Sequence, residues 1–574
     1  MSTERYSISK GGRSYVFVGS DEPLIGETIG VTLERIARTY PENDALVYVP
    51  DGRRWTYEEF YRDCVAAAKS FMALGVGRGD RVAVWATNHP EWVITQFATA
   101  LIGAVLVTVN PAYRTHELEY GLGDSETQTL VLIPSFKSSD YVKMLGEVVP
   151  ELAGSVPGRL ESEALPLLRN VILIGGEEPG MFSWKSFMEL GKDIPEDDLQ
   201  RRRRELDFDD VINIQYTSGT TGMPKGASLT HFNILNNGYH VGETMKFTHR
   251  DRLCIPVPFY HCFGMVLSNL ACVTHGATMV VPGEYFEAET ALAAVEKERC
   301  TALHGVPTMF IAELALPGFE DYDLGTLRTG IMAGAPCPVE IMKRVNDEMN
   351  MKEVTIAYGQ TETSPVITQT PHDGSLEMRT TTVGPPIPHT EVKIVSPETG
   401  RMVPVGEQGE LCCRGYQVMR GYYNNPEATA ETIDEAGWIH TGDLALMRED
   451  GTFKITGRIK NMIIRGGENV YPREIEEFLY THPKVRDAQV FGVPDEKYGE
   501  EICVWIQLHE GEEATEEEIR EYCKGRIAHY KIPRYIKFVT EFPMTVTGKI
   551  QKFKMRERAI AELGLEKDAG IETA

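Results

Sequence analysis

The chain has 574 residues and ten cysteines, and the cysteine spacing contains no Cys-x-x-Cys pair. Disulfide frameworks and structural zinc sites depend on cysteines at characteristic spacings. The absence of such spacings argues against both kinds of cross-linked scaffold. We therefore predict reduced, mostly buried thiols in a cytoplasmic protein.

Positive charge is also scarce, because 58 Lys and Arg stand against 84 Asp and Glu, a formal net charge of −26. Affinity for nucleic acid and for anionic lipid comes largely from Lys and Arg that neutralise phosphate. The composition therefore predicts no nucleic-acid partner and disfavours an anionic membrane surface. A polyphosphate ligand would have to meet locally concentrated positive charge.

Long apolar segments are absent apart from residues 92–109, which carry no charge. Threonines, a glutamine and Gly103 interrupt this stretch. We interpret it as a helix over residues 91–102 that Gly103 caps, followed by a buried strand at 104–109. The first 30 residues contain no apolar core of signal-peptide length. The sequence thus predicts neither a signal peptide nor a transmembrane helix.

Short β-branched segments alternate with helical patterns through the first 360 residues. This alternation predicts parallel sheets with helices on both faces, a doubly wound α/β architecture. The clearest predicted strands are residues 81–85, 104–109, 129–133, 170–174, 277–281 and 354–357. The composition, 42% hydrophobic and 25% charged, is that of a globular protein.

The pattern changes from about residue 381, where glycine and proline become dense. Closely spaced strands at residues 391–395, 409–414 and 452–456 predict a small β-barrel or antiparallel sheet. The tail that follows has its own strand and helix pattern and is expected to be a mobile α+β domain. We place the boundary at Lys460, with a large domain at 1–459 and a small domain at 460–574.

The tail differs from the rest of the chain in charge. Thr515 and Glu518 have the spacing of a capping box before an amphipathic helix. Residues 520–558 contain eleven Lys or Arg and three Glu, a net charge of +8. Two interpretations stay open: a basic face that docks on an acidic larger domain, or a surface for a polyphosphate ligand.

A dense cluster of glycine, serine and threonine lies within residues 216–226, directly after a predicted strand at 211–215. Small residues leave backbone N–H groups open to wrap an anion, and Lys225 adds a point charge. The Walker A pattern is absent. We predict a phosphate-binding loop that consists of Thr217, Ser218, Gly219, Thr220, Thr221, Gly222 and Lys225.

This loop resembles the phosphate loop of the AMP-forming adenylating superfamily, which includes acyl-CoA synthetases, peptide-synthetase adenylation domains and luciferases. The family's other motifs follow in the expected order, and the resemblance covers about residues 30–560. They are Gly334-Ala335-Pro336, Tyr358-Gly359-Gln360-Thr361-Glu362, Thr441-Gly442-Asp443, Gly457-Arg458, residues 465–472 and residues 543–550. Residues 463–472 and 529–554 look most like the medium-chain acyl-CoA synthetase branch.

The resemblance implies a role for each motif. Gly334, Ala335 and Pro336 would lie along adenine, Tyr358 to Thr361 would stack on it, and Asp443 and Arg458 would bind ribose. Thr217 and Glu362 would hold Mg²⁺. Lys549 would bind the substrate carboxylate and an α-phosphate oxygen. These residue types suit the reaction because a carboxylate must approach an anionic phosphate, so charge has to be neutralised.

Further roles concern CoA and the acid. Gly466, Gly467 and Glu468 would line the CoA path, and Lys460 would be a hinge that exchanges this loop for Lys549. The resemblance places His261, Val306, Ala333 and Gly359 at the acyl site. His261 would be a gate or a carboxylate neighbour, with a core histidine as the alternative.

The expected function is an AMP-forming acid:CoA ligase that uses ATP, CoA and Mg²⁺. Residues 259–266, 303–310 and 330–334 carry no charged side chain, which favours an apolar acid, with a medium-chain fatty acid first. Alternatives are an aryl- or alicyclic-acid ligase, an enzyme that loads a carrier protein, and a luciferase-like oxygenase or nucleotide-binding regulator. The sequence leaves open the chain length, the physiological direction, membrane association and a homodimer.

Overall fold

A computed structural model describes residues 6–8, 11–217, 224–335, 337–465, 468–495, 497–545 and 550–565. The chain forms two compact units. Unit 1 comprises Met1–Ser7, Val16–Val392 and Cys413–Ile439, and unit 2 comprises Ile8–Tyr15, Lys393–Cys412 and His440–Ala574.

Unit 1 contains two eight-stranded sheets. The first has the spatial order Phe182–Ser183, Asn170–Leu173, Thr129–Leu132, Arg81–Trp85, Val105–Thr108, Val211–Thr217, Lys225–Thr230, Gly421–Tyr422. The second has the order Val366–Gln369, Glu353–Gly359, Thr329–Ala333, Ala302–Leu303, Arg252–Cys254, Thr278–Val281, Asp44–Tyr48, Arg53–Thr56. Inner strands pair in parallel. Antiparallel pairs close both edges of the second sheet and one edge of the first, whose other edge strand, Phe182–Ser183, pairs in parallel.

Helices connect these strands, as the alternating pattern predicts. They are Ile29–Thr39, Tyr57–Ala73, Pro90–Ile102, Thr115–Asp124, Tyr141–Val148, Trp184–Leu190, Glu196–Arg204, His231–Thr244, Cys262–Gly264, Ala271–His275, Ala288–Glu298, Pro307–Leu314, Val339–Glu348, Leu376–Thr381 and Pro426–Thr432. A π-helical segment, Met265–Leu270, follows Cys262–Gly264. The doubly wound α/β prediction is confirmed.

The uncharged stretch at residues 92–109 folds as predicted. The helix Pro90–Ile102 ends at Gly103 in the left-handed conformation, with φ of 72°, and the buried strand Val105–Thr108 follows. A β-carbon at position 103 would lie 2.4 Å from Leu206 Cδ2, so both backbone and packing favour glycine. In the described part of the chain, no helix is long and apolar enough to cross a membrane. The cytoplasmic location stays a prediction.

Unit 2 contains most of a six-stranded sheet and all of a five-stranded sheet. The six-stranded sheet has the order Tyr6–Ile8, Tyr15–Val18, Thr390–Val395, Gly409–Gly415, Ile439–Met447, Phe453–Arg458. The five-stranded sheet has the path Glu468–Val470, Ile463–Arg465, Gly499–Leu508, Val485–Asp495, and Tyr535–Phe538 pairs with Gly499–Leu508. Its helices are Pro472–Leu479, Glu516–Cys523 and Lys552–Leu563.

Two details of unit 2 bear on the sequence predictions. Thr515 accepts a hydrogen bond from the Glu518 amide and caps the helix Glu516–Cys523, which is shorter than the amphipathic pattern suggests. Lys460 lies in a single 3₁₀ turn, Ile459–Asn461, inside unit 2. The division of the chain at Lys460 therefore stays a prediction about function. The ten cysteines are free thiols, nine of them buried.

Candidate active site

The predicted phosphate loop joins two antiparallel strands, Val211–Thr217 and Lys225–Thr230, in which Thr217 faces Lys225. The first strand is parallel to Val105–Thr108, so the loop leaves the sheet at the carboxyl end of parallel strands. Ligands of open α/β sheets bind at such ends. Ser218, Gly219, Thr220, Thr221 and Gly222 lie outside the described residues, so the structure reports only the loop's two ends.

Glu362 lies close to this loop. It occupies a 3₁₀ turn, Thr361–Thr363, just after the strand Glu353–Gly359, and is 9% exposed. Its Oε1 accepts a hydrogen bond from the Tyr422 hydroxyl at 2.8 Å and lies 3.5 Å from Thr217 Oγ1. The structure thus brings together Thr217 and Glu362, the two residues that the sequence assigns to a metal.

This cluster has the donor chemistry that Mg²⁺ prefers. Magnesium is held by one or two carboxylates together with substrate phosphates and waters. Among the described residues, both hydrogen-bond contacts of the Glu362 carboxylate fall on Oε1, and Oε2 carries neither. A hydroxyl and a carboxylate oxygen at the mouth of a phosphate loop therefore fit the cation.

The adenine-side motifs meet at one edge of the second sheet. Ala333 and Ala357 are register partners on parallel strands, so Gly334 and Ala335 emerge beside Tyr358 and Gly359. Gln360 and Thr361 continue from that edge into the turn that carries Glu362. A β-carbon on Gly359 would lie 1.9 Å from the Pro365 carbonyl oxygen, so only glycine fits. Pro336 lies outside the described residues.

The predicted acyl-side segments are also neighbours. The Gly305 amide donates to Ile331 O at 3.0 Å, and Ala333 N donates back to Gly305 O at 3.3 Å, which places Val306 next to Ala333. His261 Nδ1 accepts from the Phe263 amide at 3.1 Å and caps the short helix that follows. The Phe263 ring lies 5.5 Å from the ring of His304. The apolar segments thus converge on one region of unit 1.

His304 is buried and neutral in this region. Ser268 Oγ donates to Phe263 O at 3.0 Å and lies 3.0 Å from His304 Nδ1. Because a hydroxyl has one proton, Nδ1 is the donor of the second contact. Burial lowers the pKa of His304 to about 3. Its Nε2 is then an unprotonated acceptor, and that atom has no hydrogen-bond partner.

The predicted ribose-binding residues form an ion pair within unit 2. Asp443 on the strand Ile439–Met447 faces Arg458 at the end of Phe453–Arg458. Arg458 Nε donates to Asp443 Oδ1 at 2.7 Å. Asp443 is 4% exposed, whereas the Arg458 side chain is 54% exposed. The pair can present both a carboxylate and a guanidinium to a sugar, and it is also a local salt bridge.

Glu410 supports the turn before Asp443. Its Oε1 accepts from the Gly442 amide at 3.0 Å, and its Oε2 lies 2.8 Å from His440 Nδ1. Glu410, Cys412 and His440 could in principle hold a metal ion. Both carboxylate oxygens already meet protein donors, so the cluster is better interpreted as a hydrogen-bonded brace for the turn.

Sequence reasoning missed Tyr422 and Glu410. Tyr422 contacts a residue 60 positions away in the chain, and Glu410 contacts one 32 positions away. Pairing at such distances depends on strand order, which single-sequence patterns do not reveal. The available signals were local: a glycine and two aromatic residues at 421–423, and a single acid beside apolar residues on the predicted strand 409–414.

Several predicted residues lie outside the described residues, namely Lys549, Gly466 and Gly467. The residues that flank them form antiparallel backbone pairs. Met544 pairs with Ile550 on either side of Lys549, and Arg465 pairs with Glu468 on either side of the two glycines. Glu468 lies on the strand Glu468–Val470. The roles of these residues stay predictions.

Two family models match the chain. The model described as AMP-binding enzyme matches residues 33–423, and the model described as AMP-binding enzyme C-terminal domain matches residues 474–549. The chain therefore belongs to the AMP-binding enzyme family.

Similar proteins indicate which reaction within the AMP-binding enzyme family this chain catalyses. YngI of Bacillus subtilis (strain 168), a protein named for acyl-CoA synthetase activity, is 54% identical over 94% of this chain and 99% of its own. The mitochondrial medium-chain acyl-CoA ligase ACSF2 of Danio rerio is 47% identical over 96% of this chain and 91% of its own. ATP-bound MatB from Rhodopseudomonas palustris has a TM-score of 0.81 at 28% identity and covers 92% of this chain and 99% of its own. The chain is accordingly an ATP-dependent, AMP-forming acid:CoA ligase.

Proposed function

We propose that the acid is an apolar, medium-chain carboxylic acid that binds beside Val306 and Ala333. The observation that carries this proposal is the convergence of three uncharged segments, 259–266, 303–310 and 330–334, through the Phe263–His304 and Gly305–Ala333 contacts. A buried charge on the substrate would need a buried counter-charge, which these segments do not supply. The name of the Danio rerio relative supports the same chain length.

The proposed chemistry has two steps. In the first, a carboxylate oxygen attacks the α-phosphorus of ATP, the bond to the β-phosphate oxygen breaks, and pyrophosphate leaves with the bond's electron pair. In the second, the CoA thiolate attacks the acyl carbonyl carbon and AMP leaves. Both steps place negative charge on oxygen, so cationic and N–H groups must be held at those oxygens beforehand.

Each residue has a proposed share of that task. Thr217, Lys225 and the intervening loop bind the β- and γ-phosphates, and Glu362 with Thr217 holds Mg²⁺. When bound, the cation supplies positive charge to the phosphate oxygens. Asp443 and Arg458 bind the ribose hydroxyls, and Lys549 binds the carboxylate with an α-phosphate oxygen. Gly466, Gly467 and Glu468 line the CoA path, with Lys460 as the hinge between the steps.

The test is pyrophosphate release with ATP and Mg²⁺ over acids from acetate to palmitate, together with benzoate and cyclohexanecarboxylate, with and without CoA. We expect CoA-dependent turnover that peaks at a medium-chain acid. A peak at benzoate or cyclohexanecarboxylate would establish the aryl or alicyclic alternative. Adenylate formation without CoA-dependent turnover would favour a carrier-loading enzyme. Lys549→Ala should abolish the first step in every case.

A further inference from the structure

The segment that carries Tyr422 contacts both Lys225, which follows the phosphate loop, and Glu362. The strand Gly421–Tyr422 pairs antiparallel with Lys225–Thr230, with Tyr422 opposite Ala227. Lys225 lies two residues before Ala227, on the same face of the strand, and is therefore the diagonal neighbour of Tyr422. The Lys225 ammonium lies over the Tyr422 ring, 5.1 Å from its centroid. The pairing register of these two strands thus places Lys225 over the face of the Tyr422 ring.

The same segment holds Glu362 at two points. The Tyr422 hydroxyl donates to Glu362 Oε1 at 2.8 Å, and the Met419 amide donates to the Glu362 carbonyl oxygen at 2.9 Å. One contact fixes the carboxylate and the other fixes the backbone of the turn. A carboxylate held in this way has fewer rotamers available than one that faces solvent.

The hydroxyl is a permanent donor in this contact. A tyrosine phenol has an ordinary pKa of about 10, so it carries its proton at physiological pH and donates it to the carboxylate. A neutral donor orients the carboxylate and leaves its negative charge in place, whereas a cationic partner would neutralise that charge. The acid therefore retains its negative charge for a cation.

We propose that Tyr422 is a positioning residue of the triphosphate site, whose hydroxyl orients Glu362 toward the cation and whose ring face orients Lys225 toward the phosphates. The inference rests on the proposed roles of Glu362 and Lys225 and deepens them, because it makes one side chain responsible for both. The two functions are chemically separable, since one belongs to the hydroxyl and the other to the ring.

The decisive variant is Tyr422→Phe, which removes the hydroxyl and keeps the ring under Lys225. Loss of a group that orients a metal ligand weakens metal binding by about 10- to 100-fold. We expect at least a ~10-fold weaker Mn²⁺ affinity in the presence of α,β-methylene-ATP, measured by titration calorimetry. The Mg²⁺ concentration that half-saturates ATP–pyrophosphate exchange should rise by a similar factor. Affinity for the analogue at saturating metal should stay close to that of the wild type.

Tyr423→Phe is the matched control. It removes the same atom from the adjacent residue, whose hydroxyl donates instead to Glu126 Oε2 at 2.8 Å. Metal affinity should not change in this variant. Tyr422→Leu removes the ring as well and should weaken analogue binding at saturating metal by a further ~3-fold, the size of an exposed cation–π contact.

Glu362→Gln separates failure of this inference from failure of the proposed function. If Glu362→Gln weakens Mn²⁺ binding and Tyr422→Phe does not, Tyr422 has no positioning role and the inference is overturned. If neither variant changes Mn²⁺ binding, the metal role of Glu362 is wrong and the inference falls with it. Thermal melting of each variant shows that the comparison is made between folded proteins, and Tyr422→Phe suffices if Tyr422→Leu does not fold.

Discussion

The two units differ in their most deeply buried titratable groups. In unit 1 several of them are neutral: burial lowers the pKa of His231 and His240 to about 4 and that of His304 to about 3, and it raises the pKa of Glu313 well above its usual range, although other buried acids such as Asp251 are paired with arginine. Unit 2 contains the most deeply buried ion pair, in which Arg465 contacts Glu501 at two points. Neutral burial makes a domain sensitive to pH, whereas pairing makes it sensitive to loss of either partner.

The comparison also explains the basic tail. Among the described residues of 520–558, seven bases form ion pairs with carboxylates of unit 2, and three of those carboxylates precede residue 500. The pairs are Arg520–Glu516, Lys524–Glu521, Lys531–Glu474, Arg534–Asp495, Lys537–Glu562, Lys552–Glu476 and Arg556–Glu500. Much of the segment's +8 charge is therefore matched locally. Docking and polyphosphate binding both stay predictions.

The first effect that we predict, and the one that involves the most residues, is acid destabilisation of unit 1. A histidine whose folded pKa lies below 6.5 contributes stability that is present above pH 6.5 and lost as the pH falls toward 4. Glu313 acts in the opposite direction, because its folded form keeps a proton that the unfolded chain releases above pH 4.5. Because the unfolded histidines are only partly protonated at pH 6, three histidines less one acid give a loss of about 2 kcal/mol per pH unit between pH 6 and 5.

Urea unfolding followed by tryptophan fluorescence measures this loss. Five of the six tryptophans belong to unit 1, and Trp505 belongs to unit 2. His231→Asn keeps an acceptor for the Ile29 amide and removes one titrating group, so its slope should be smaller by about 1 kcal/mol per pH unit. A wild-type slope near zero in this window would refute the neutral-burial interpretation.

The second prediction concerns a pair in unit 2. Arg465→Met should lower the free energy of unfolding by about 3 kcal/mol, the lower end of the range for a broken buried pair, because it leaves the Glu501 carboxylate, which is 1% exposed, with only the more distant Arg534 at 3.7 Å. Lys537→Met is the matched control at an exposed pair with Glu562, and it should cost less than about 1 kcal/mol. Equal losses in the two variants would show that burial does not set the value of these pairs.

Sequence patterns predicted the elements whose conformation is set by residues close in the chain. The helix Pro90–Ile102 with its Gly103 cap and the strand Arg81–Trp85 followed from local periodicity. The pairing of Asp443 with Arg458 was not visible, although each residue was named, because it depends on the register of two strands. Tyr422 escaped notice for the same reason, since its two-residue strand carries almost no periodic signal.

The smallest effect that we predict concerns Asp443, a buried acid whose ion-pair partner is exposed. Its carboxylate is buried like that of Glu501, but its partner Arg458 is more than half exposed and could turn to a ligand. If the carboxylate binds ribose, Asp443→Asn should lower kcat/KM for ATP by about 10- to 100-fold, or 1.5–3 kcal/mol, the range for a hydrogen bond to a charged group.

A nucleotide without ribose hydroxyls distinguishes ribose binding by Asp443 from a purely structural salt bridge. With 2′,3′-dideoxy-ATP the wild type should lose the ribose contacts, so the wild type and Asp443→Asn should become nearly equal. A structural salt bridge would instead give the same ratio of rates with both nucleotides and a lower melting temperature. Asp450→Asn is the matched control, because it makes the identical change in the turn of the same hairpin, where Asp450 Oδ1 accepts from Thr452. This variant should have the same rate as the wild type with ATP and with dideoxy-ATP. Equality with dideoxy-ATP would thus show that a buried charge of unit 2 is paired by its ligand as well as by the protein.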